Sequence, residues 1–327
     1  MVYIGLDLGG TKVSGALFTE RNVMLLSETL YLEGRVGDSV FELISQLCNQ
    51  LLERGSIKSH HKKSIGICVP GIAYSKSGDV WAPNIPGWDC YPLKYKLLER
   101  FPGSVVTVES DRTAYIMGEV TMGAAKGCEN AIFIAVGTGI GAGILIDGRV
   151  LHGASDIVGA TGWMALKTPY DSEWDSCGCF ESHASGAGIA KTAKKLVASK
   201  MESEGYTGAL TKINLDKITA HNIFEAYDKG DEIAIEVLNG AIEMWGMAAA
   251  NFISLFNPQM IIFGGGIFGP ATRFIDDIYA QALKWAQPLA IKQCKFSATQ
   301  LPDTAGLYGA GAIARIAHMN DSLINAK

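Results

Sequence analysis

Residues 2–18 read Val-Tyr-Ile-Gly-Leu-Asp-Leu-Gly-Gly-Thr-Lys-Val-Ser-Gly-Ala-Leu-Phe. A β-prone alternating run reaches Leu8, Gly9-Gly10-Thr11-Lys12 turns the chain, and Val13 to Phe18 forms a second strand, the pattern of a hairpin. A carboxylate near the end of a strand, followed by glycines and a threonine, suits a polyphosphate and its magnesium. Glycines let backbone N–H groups approach phosphate oxygens, Thr11 adds a hydroxyl, and Asp7 can hold magnesium through water, because that ion keeps much of its hydration shell. A plain hairpin whose turn is Gly-Gly accounts for the same residues, and the motif alone does not choose between the two.

The layout then restarts. Ala131 to Val136 reads as a strand, Gly137-Thr138-Gly139 as a turn, and Ile140 to Ile146 as a strand. Two hairpins in equivalent places predict two lobes that face one another across a cleft, with the second turn closing on the same phosphates. Met260 to Phe263 is a short buried-type strand ending in Gly264-Gly265-Gly266, which places bare backbone and a helix start beside an adenosine or a phosphate; a loop needing positive φ is the plain alternative. Neither a Walker-type lysine loop nor a dinucleotide fingerprint is in place.

Between the hairpins, a helix with Phe41, Ile44, Leu47, Leu51 and Leu52 on one stripe starts at Asp38 or Ser39 as cap. Ser64 to Val69 is a strand ended by Pro70-Gly71, residues 83–88 are loop, Leu93 to Arg100 is a helix, and Val105 to Glu109 is a strand running into Ser110-Asp111. Phosphoryl transfer needs a carboxylate within reach of the attacking hydroxyl, and Asp111 is the candidate. As a cap for the helix Thr113 to Met122 it has a competing structural role. Helices dominate from Ala184 onward, a long one runs near Asp231 to Phe256, and a small-residue helix closes the chain at about Ala305 to His318.

The bulk numbers bound the function. With 327 residues the chain has room for two cores. Net charge −5 disfavours nucleic acid, and the basic run Lys58-Ser59-His60-His61-Lys62-Lys63 reads as a solvated loop. Cysteines number 7, odd and irregularly spaced, which points to a reducing compartment and no disulfide framework. The start lacks a signal peptide's basic and apolar segments, and the uncharged stretch Ala131 to Ile146 is short for a membrane span and carries glycine at alternate positions. A cytoplasmic protein with no membrane partner is expected.

Together, Asp7-Leu-Gly-Gly-Thr-Lys12, Val69-Pro-Gly71, Pro83-Asn-Ile-Pro-Gly-Trp88, Val108-Glu-Ser-Asp111, Gly137-Thr-Gly-Ile-Gly141, Gly178-Cys-Phe-Glu181 and Ile262-Phe-Gly-Gly-Gly266 resemble, in order and over nearly the whole chain, the ROK family of repressors, open reading frames and sugar kinases. The resemblance implies an α/β protein with the two-lobed actin-like, ribonuclease H-like ATPase fold, in which helices flank mixed sheets around an interlobe cleft. One lobe is expected at residues 1–113 plus about 305–327, the other at 114–304. The resemblance further implies ATP with magnesium, phosphoryl transfer to a sugar hydroxyl, and a homodimer. Asp111 matches the family's catalytic aspartate. Asn84, Asp111 and Glu181 match residues that hold sugar hydroxyls, joined on the substrate side by Gly71, Ser110 and Trp163.

The departures bear on the substrate. Ser110 stands where the family has asparagine. The family's Glu-x-Gly-His reads Ala160-Thr161-Gly162-Trp163, so two groups that bind sugar hydroxyls are replaced. Removing such groups rewrites a preference for hydroxyls. Trp163 either stacks on a ring or fills the space in the core, and glucose is not assumed as the acceptor. Of the family's zinc cysteines only Cys177-Gly-Cys179 remains; a closed zinc site takes four ligands, and no structural zinc is expected, even with His183 nearby. The alternatives are a sugar-binding regulator that has shed catalysis, and an enzyme using another phosphoryl donor such as polyphosphate. Family repressors carry a helix-turn-helix ahead of the kinase-like part, for which a hairpin starting at residue 4 leaves no room.

Overall fold

The computed structural model describes residues 1–58, 61–203 and 205–325; positions 59 and 60 of the basic run, and the last two residues of the expected first lobe, lie outside them. Contacts divide the chain into two units, Met1–Gly127 with Val150–Val158 and Thr299–Lys327, and Cys128–Arg149 with Gly159–Ala298.

The first unit holds β1 (Val2–Leu8), β2 (Lys12–Phe18), β3 (Met24–Tyr31), α1 (Asp38–Arg54), β4 (Lys63–Val69), β5 (Ile72–Ala73), β6 (Val80–Trp81), α2 (Leu93–Arg100), β7 (Val105–Ser110) and α3 (Asp111–Met122). Its sheet runs β3-β2-β1-β4-β7. The first three strands are antiparallel neighbours, and β1, β4 and β7 are parallel. The second unit holds β8 (Ala131–Val136), β9 (Ile140–Ile146), α4 (Cys179–Ala184), α5 (Gly186–Ser203), α6 (Ala220–Tyr227), α7 (Glu232–Phe256), β11 (Met260–Gly264), α8 (Ile275–Ala282), α9 (Pro288–Gln293) and β12 (Lys295–Ala298); the short β10 (Arg149–Val150) ends this sheet at the boundary between the units, and α10 (Ala305–Asn325) returns to the first. The order β10-β9-β8-β11-β12 repeats the first sheet strand for strand, so the echo between the hairpins is a repeated topology.

Strand periodicity explains the first unit. Successive side chains point to opposite faces. Ile4, Leu6, Ile65, Ile67, Val106 and Val108 face α1 and α2 in one apolar core with Phe41, Ile44, Leu47 and Leu97. The alternate set faces α10: Tyr3 packs with Leu307 and Ala314, Cys68 with Ala310 and Ile313, and the Ser64 hydroxyl donates to Ala314 O at 2.6 Å. Helix α10 also lies backbone-to-backbone on α3, since a Cβ at Gly309 would stand 1.9 Å from Ala114 O and one at Gly118 2.2 Å from Ala305 O.

The sequence boundary at 113/114 cuts α3 after its first turn; this packing keeps the whole helix with the first unit. The fully buried Glu119 does the same. Its carboxylate accepts from Ala124 N at 2.7 Å, from Leu301 N at 3.3 Å and from the Thr299 hydroxyl, tying the point where the chain re-enters the unit.

Two local readings are corrected. Strand β3 was not expected; it is an edge strand whose burial alternates residue by residue. Helix α1 is preceded by Gly37 with no side-chain cap. Asp38 instead accepts from the Tyr91 hydroxyl at 2.5 Å and pairs with Lys96 at 3.1 Å, while Ser39 bonds Val36. In the second unit, α7 is the one helix among the described residues long and apolar enough to cross a membrane, and 67% of its most apolar window is buried inside the protein. Asp231 caps it, accepting from Ile233 N and Ala234 N at 3.1 Å each.

Candidate active site

In the first unit the carboxyl ends of β1, β4 and β7 lie side by side. Asp7 is in register with Cys68, Cys68 with Glu109, and Val69 with Ser110. By the period of two, Asp7, Cys68 and Glu109 share the face toward α10, and Asp111 follows Glu109 at the start of α3. A Cβ at Gly306 would stand 2.4 Å from the Asp7 carboxylate, so only a bare backbone there lets Asp7 approach the amino end of α10, where an anion is favoured.

Asp111 does not cap its helix. Ser110 is the cap, its hydroxyl oxygen accepting from Thr113 N at 3.4 Å. Asp111 occupies the first helical position, with Oδ1 accepting from Arg112 N at 2.8 Å. The reading of Asp111 as the cap is thereby corrected, and among the described residues no hydrogen bond is found to Oδ2. Burial raises the Asp111 carboxyl above its ordinary range against the opposing pull of Arg112. Burial, reinforced by the Asp111 charge and opposed by Lys12, pushes Asp7 up to about 6. Two carboxylates sharing a partly dehydrated site repel each other's charge.

Around them stand the other residues expected in this unit. The first turn is closed by Gly9 N donating to Lys12 O at 2.9 Å; Gly10, Thr11 and Lys12 are exposed. Asn84 lies beside this turn, its Cβ 3.7 Å from where a Gly10 Cβ would be. Its loop is fixed by Trp88, which stacks on Tyr91 at 4.3 Å and donates Nε1–H to Gly37 O at 3.1 Å. Gly71 has φ 112°, and a Cβ there would meet Trp81 O at 2.2 Å, so β5 and β6 exclude any side chain. Its carbonyl accepts from Arg112 Nη2 at 3.3 Å.

In the second unit, the ends of β8 and β11 and the start of α5 converge. Gly137 N donates to Gly139 O at 2.9 Å, Gly186 N to Gly137 O at 2.8 Å and Ala187 N to Thr138 O at 3.4 Å. Gly265 has φ 89° and packs on Val136, with a Cβ position 2.5 Å from its carbonyl oxygen; Gly264 ends β11, and Gly266 begins a short 3-10 turn. Glu181 sits behind the turn. Its Oε2 accepts from Ile140 N at 2.6 Å, and its carboxylate fills the space a side chain at Gly139 would take. Burial raises its carboxyl and the Ile140 N–H opposes that.

Trp163 ends a 3-10 turn and is 58% exposed, which removes the alternative that it fills the core. Cys177 Sγ lies 3.1 Å from Ser182 Oγ, and His183 donates Nδ1–H to Cys179 O at 2.8 Å. Among the described residues no group of three or more His, Cys, Asp or Glu side chains is arranged to hold a metal ion.

The profile of the ROK family matches residues 3–317. The chain belongs to the ROK family. Among its relatives, the glucokinase of Halalkalibacterium halodurans is 30% identical over 321 residues, covering 94% of this chain and 93% of that one. The crystal structure of a ROK family glucokinase from Streptomyces griseus with glucose and AMPPNP superposes with a TM-score of 0.74 at 28% identity, over 97% of this chain and all of the other. A ROK family transcriptional regulator, a homologue of the E. coli MLC protein, reaches a TM-score of 0.81 at 23% identity over 97% of this chain and 78% of that one, a likeness of fold alone. The actin-like α/β fold expected from the sequence is the fold of this ROK chain.

Sequence reasoning missed Gly306, Arg112 and the pair formed by His152 Nε2 with both Glu109 oxygens at 3.0 and 3.1 Å. Arg112 had a signal: a cation in the first turn of a helix runs against the dipole and calls for a reason.

Proposed function

We propose that this ROK protein is an ATP-dependent kinase of a sugar or sugar-like hydroxyl, with Asp111 as general base. The observation that carries the reading is the division of labour at the start of α3. Ser110 caps the helix, so the Asp111 carboxylate stands at the strand ends beside Asp7 with one oxygen unspent. In the reaction, Asp111 takes the proton of the acceptor hydroxyl. The oxygen forms a bond to the γ-phosphorus, the bond from that phosphorus to the bridging oxygen breaks, and ADP leaves with the electron pair.

The phosphate-binding residues are Gly9, Gly10, Thr11 and Lys12 of the first unit and Gly137, Thr138 and Gly139 of the second. Gly264, Gly265 and Gly266 take the adenosine side. Asp7, a hard oxygen donor for which no hydrogen bond is found among the described residues, fits a magnesium ion through water, and the ion neutralises phosphate charge when bound. Gly71, Asn84, Ser110, Trp163 and Glu181 make up the acceptor side. Location in the cytoplasm and assembly as a homodimer complete the reading.

The test is ADP release from ATP with a panel of neutral sugars, amino sugars, sugar acids and polyols. At least one acceptor is expected to stimulate turnover, and Asp111→Asn to lower kcat by about 10³-fold. No stimulation by any acceptor, with Asp111→Asn matching the parent, would reject it. Ala160 and Trp163, standing where the family carries hydroxyl-binding glutamate and histidine, favour as second reading a sugar-binding regulator. That reading expects sugar-dependent thermal stabilisation without ADP release.

A further inference from the structure

The chemistry above leaves one charged side chain at the site without a task. Arg112 follows the base directly and is part-buried. Burial pulls its guanidinium below the usual arginine range, against the Asp111 charge. It also sits in the first turn of α3, where the helix dipole disfavours a cation. A guanidinium carries five N–H donors. Among the described residues its hydrogen bond goes to a neutral acceptor, from Nη2 to Gly71 O at 3.3 Å, and it takes part in none of the ion pairs. The neighbouring cation His152 is already committed to Glu109. The Asp111 charge favours the charged guanidinium but makes no ion pair with it among the described residues, and a partly dehydrated cation lacking a paired anion is unfavourable unless something supplies one.

The anchor is rigid. The Gly71 peptide is pinned against Trp81, and the bond from Nη2 uses one of that nitrogen's two hydrogens, leaving the second to donate side by side with Nε–H or with Nη1–H. Such a fork matches a carboxylate or phosphate in a two-point, charge-assisted pair, a geometry a neutral hydroxyl does not reproduce. Asp7 and Asp111 repel an anion, so they leave Arg112 as the place for it and direct the neutral, reacting hydroxyl to Asp111.

We propose that Arg112 is the receptor for an oxyanion on the acceptor, a carboxylate or a phosphate ester, so that the substrate is an acidic sugar rather than a neutral hexose. This rests on the kinase reading and narrows it.

The experiment compares the full-length parent, Arg112→Ala and Arg112→Lys with glucose, N-acetylglucosamine, glucuronate, gluconate and glucose 6-phosphate. ADP release and thermal shift are both followed, at constant ionic strength. An acidic acceptor is expected to exceed its neutral counterpart in kcat/KM by about tenfold or more in the parent. The ratio is expected to collapse in Arg112→Ala, mainly through KM, and to recover only in part in Arg112→Lys, which keeps the charge without the fork. Sugar acids and sugar phosphates separate the two sources of the oxyanion. A neutral sugar preferred by the parent, with acid-to-neutral ratios equal in all three proteins, overturns the proposal and leaves the kinase reading standing. If no acceptor is turned over, the kinase reading fails and the thermal shift decides. Stabilisation of the parent and Arg112→Lys by an acidic sugar, lost in Arg112→Ala, supports the anion site; no acid-specific shift in the parent overturns it.

Discussion

At the scale of the residue, Asp7 and Asp111 show how a site for phosphate chemistry weakens the fold that holds it. The Asp7 carboxyl keeps its proton to about pH 6, against 3.8 for the free group, because of burial and then the Asp111 charge. The folded state therefore binds more protons than the unfolded one between those values, and stability falls as pH rises through that window. Asp7→Asn removes the charge, so it is expected to stabilise the protein by about 1–3 kcal/mol at pH 7.5 and by nothing near pH 4. Melting temperatures of parent and variant at pH 4, 5, 6 and 7.5 check this; a gain independent of pH would contradict the assignment. The same shifts set the acid limb of turnover. Because Asp111 is also raised by burial, the acid limb of kcat/KM is expected at a higher pH than an ordinary carboxylate gives, and a pH–rate profile checks it. Ser110→Ala removes the cap, and a loss of about 1 kcal/mol is expected on thermal unfolding. Asp111 as a candidate base was readable from its place after a strand. Which of two adjacent polar residues would cap α3 was not, since Ser and Asp both suit the position and only the backbone geometry chooses.

At the scale of the element, α10 and α3 hold the site's floor. A side chain at Gly309 would collide with the Ala114 carbonyl, so Gly309→Val is expected to cost about 3 kcal/mol, while Gly103→Ala, at an open turn position with φ 75°, costs about 1 kcal/mol through backbone strain alone. Denaturant titrations distinguish the two. Glu119→Ala strands the donors of Ala124, Thr299 and Leu301 and is expected to cost about 3 kcal/mol, with Glu119→Gln recovering part of it. Both hairpins, α2 and the long α7 were legible as local periodicity. The small residues of α10 were noticed, but not their reason, because Gly306 and Gly309 answer to Asp7 and Ala114, far away in sequence. Strand β3 escaped because Met24–Tyr31 mixes apolar and polar residues on an edge where only one face is covered.

At the scale of the whole molecule, a repeated five-stranded topology has been put to unequal use. The first copy ends its parallel strands in carboxylates, Asp7, Glu109 and Asp111; the second ends them in bare glycine, Gly137 and Gly264 to Gly266. The doubling was legible from Gly-Thr turns in matching places. The segment 150–158 assigned to the first unit was not, since nothing local marks a stretch held by His152 on Glu109 and by Asp156 on Ser75 N. The first unit is thus assembled from separated lengths of chain, and α10, which covers one face of its central strands, is synthesised last. A growing polypeptide on the ribosome can finish the second unit while the first still exposes Tyr3, Cys68 and Leu307's partners to water. A released chain truncated after residue 304 is therefore expected to yield a protease-resistant fragment from residues 128–298, while its amino-terminal part, lacking the helix that covers its central strands, stays sensitive to cleavage.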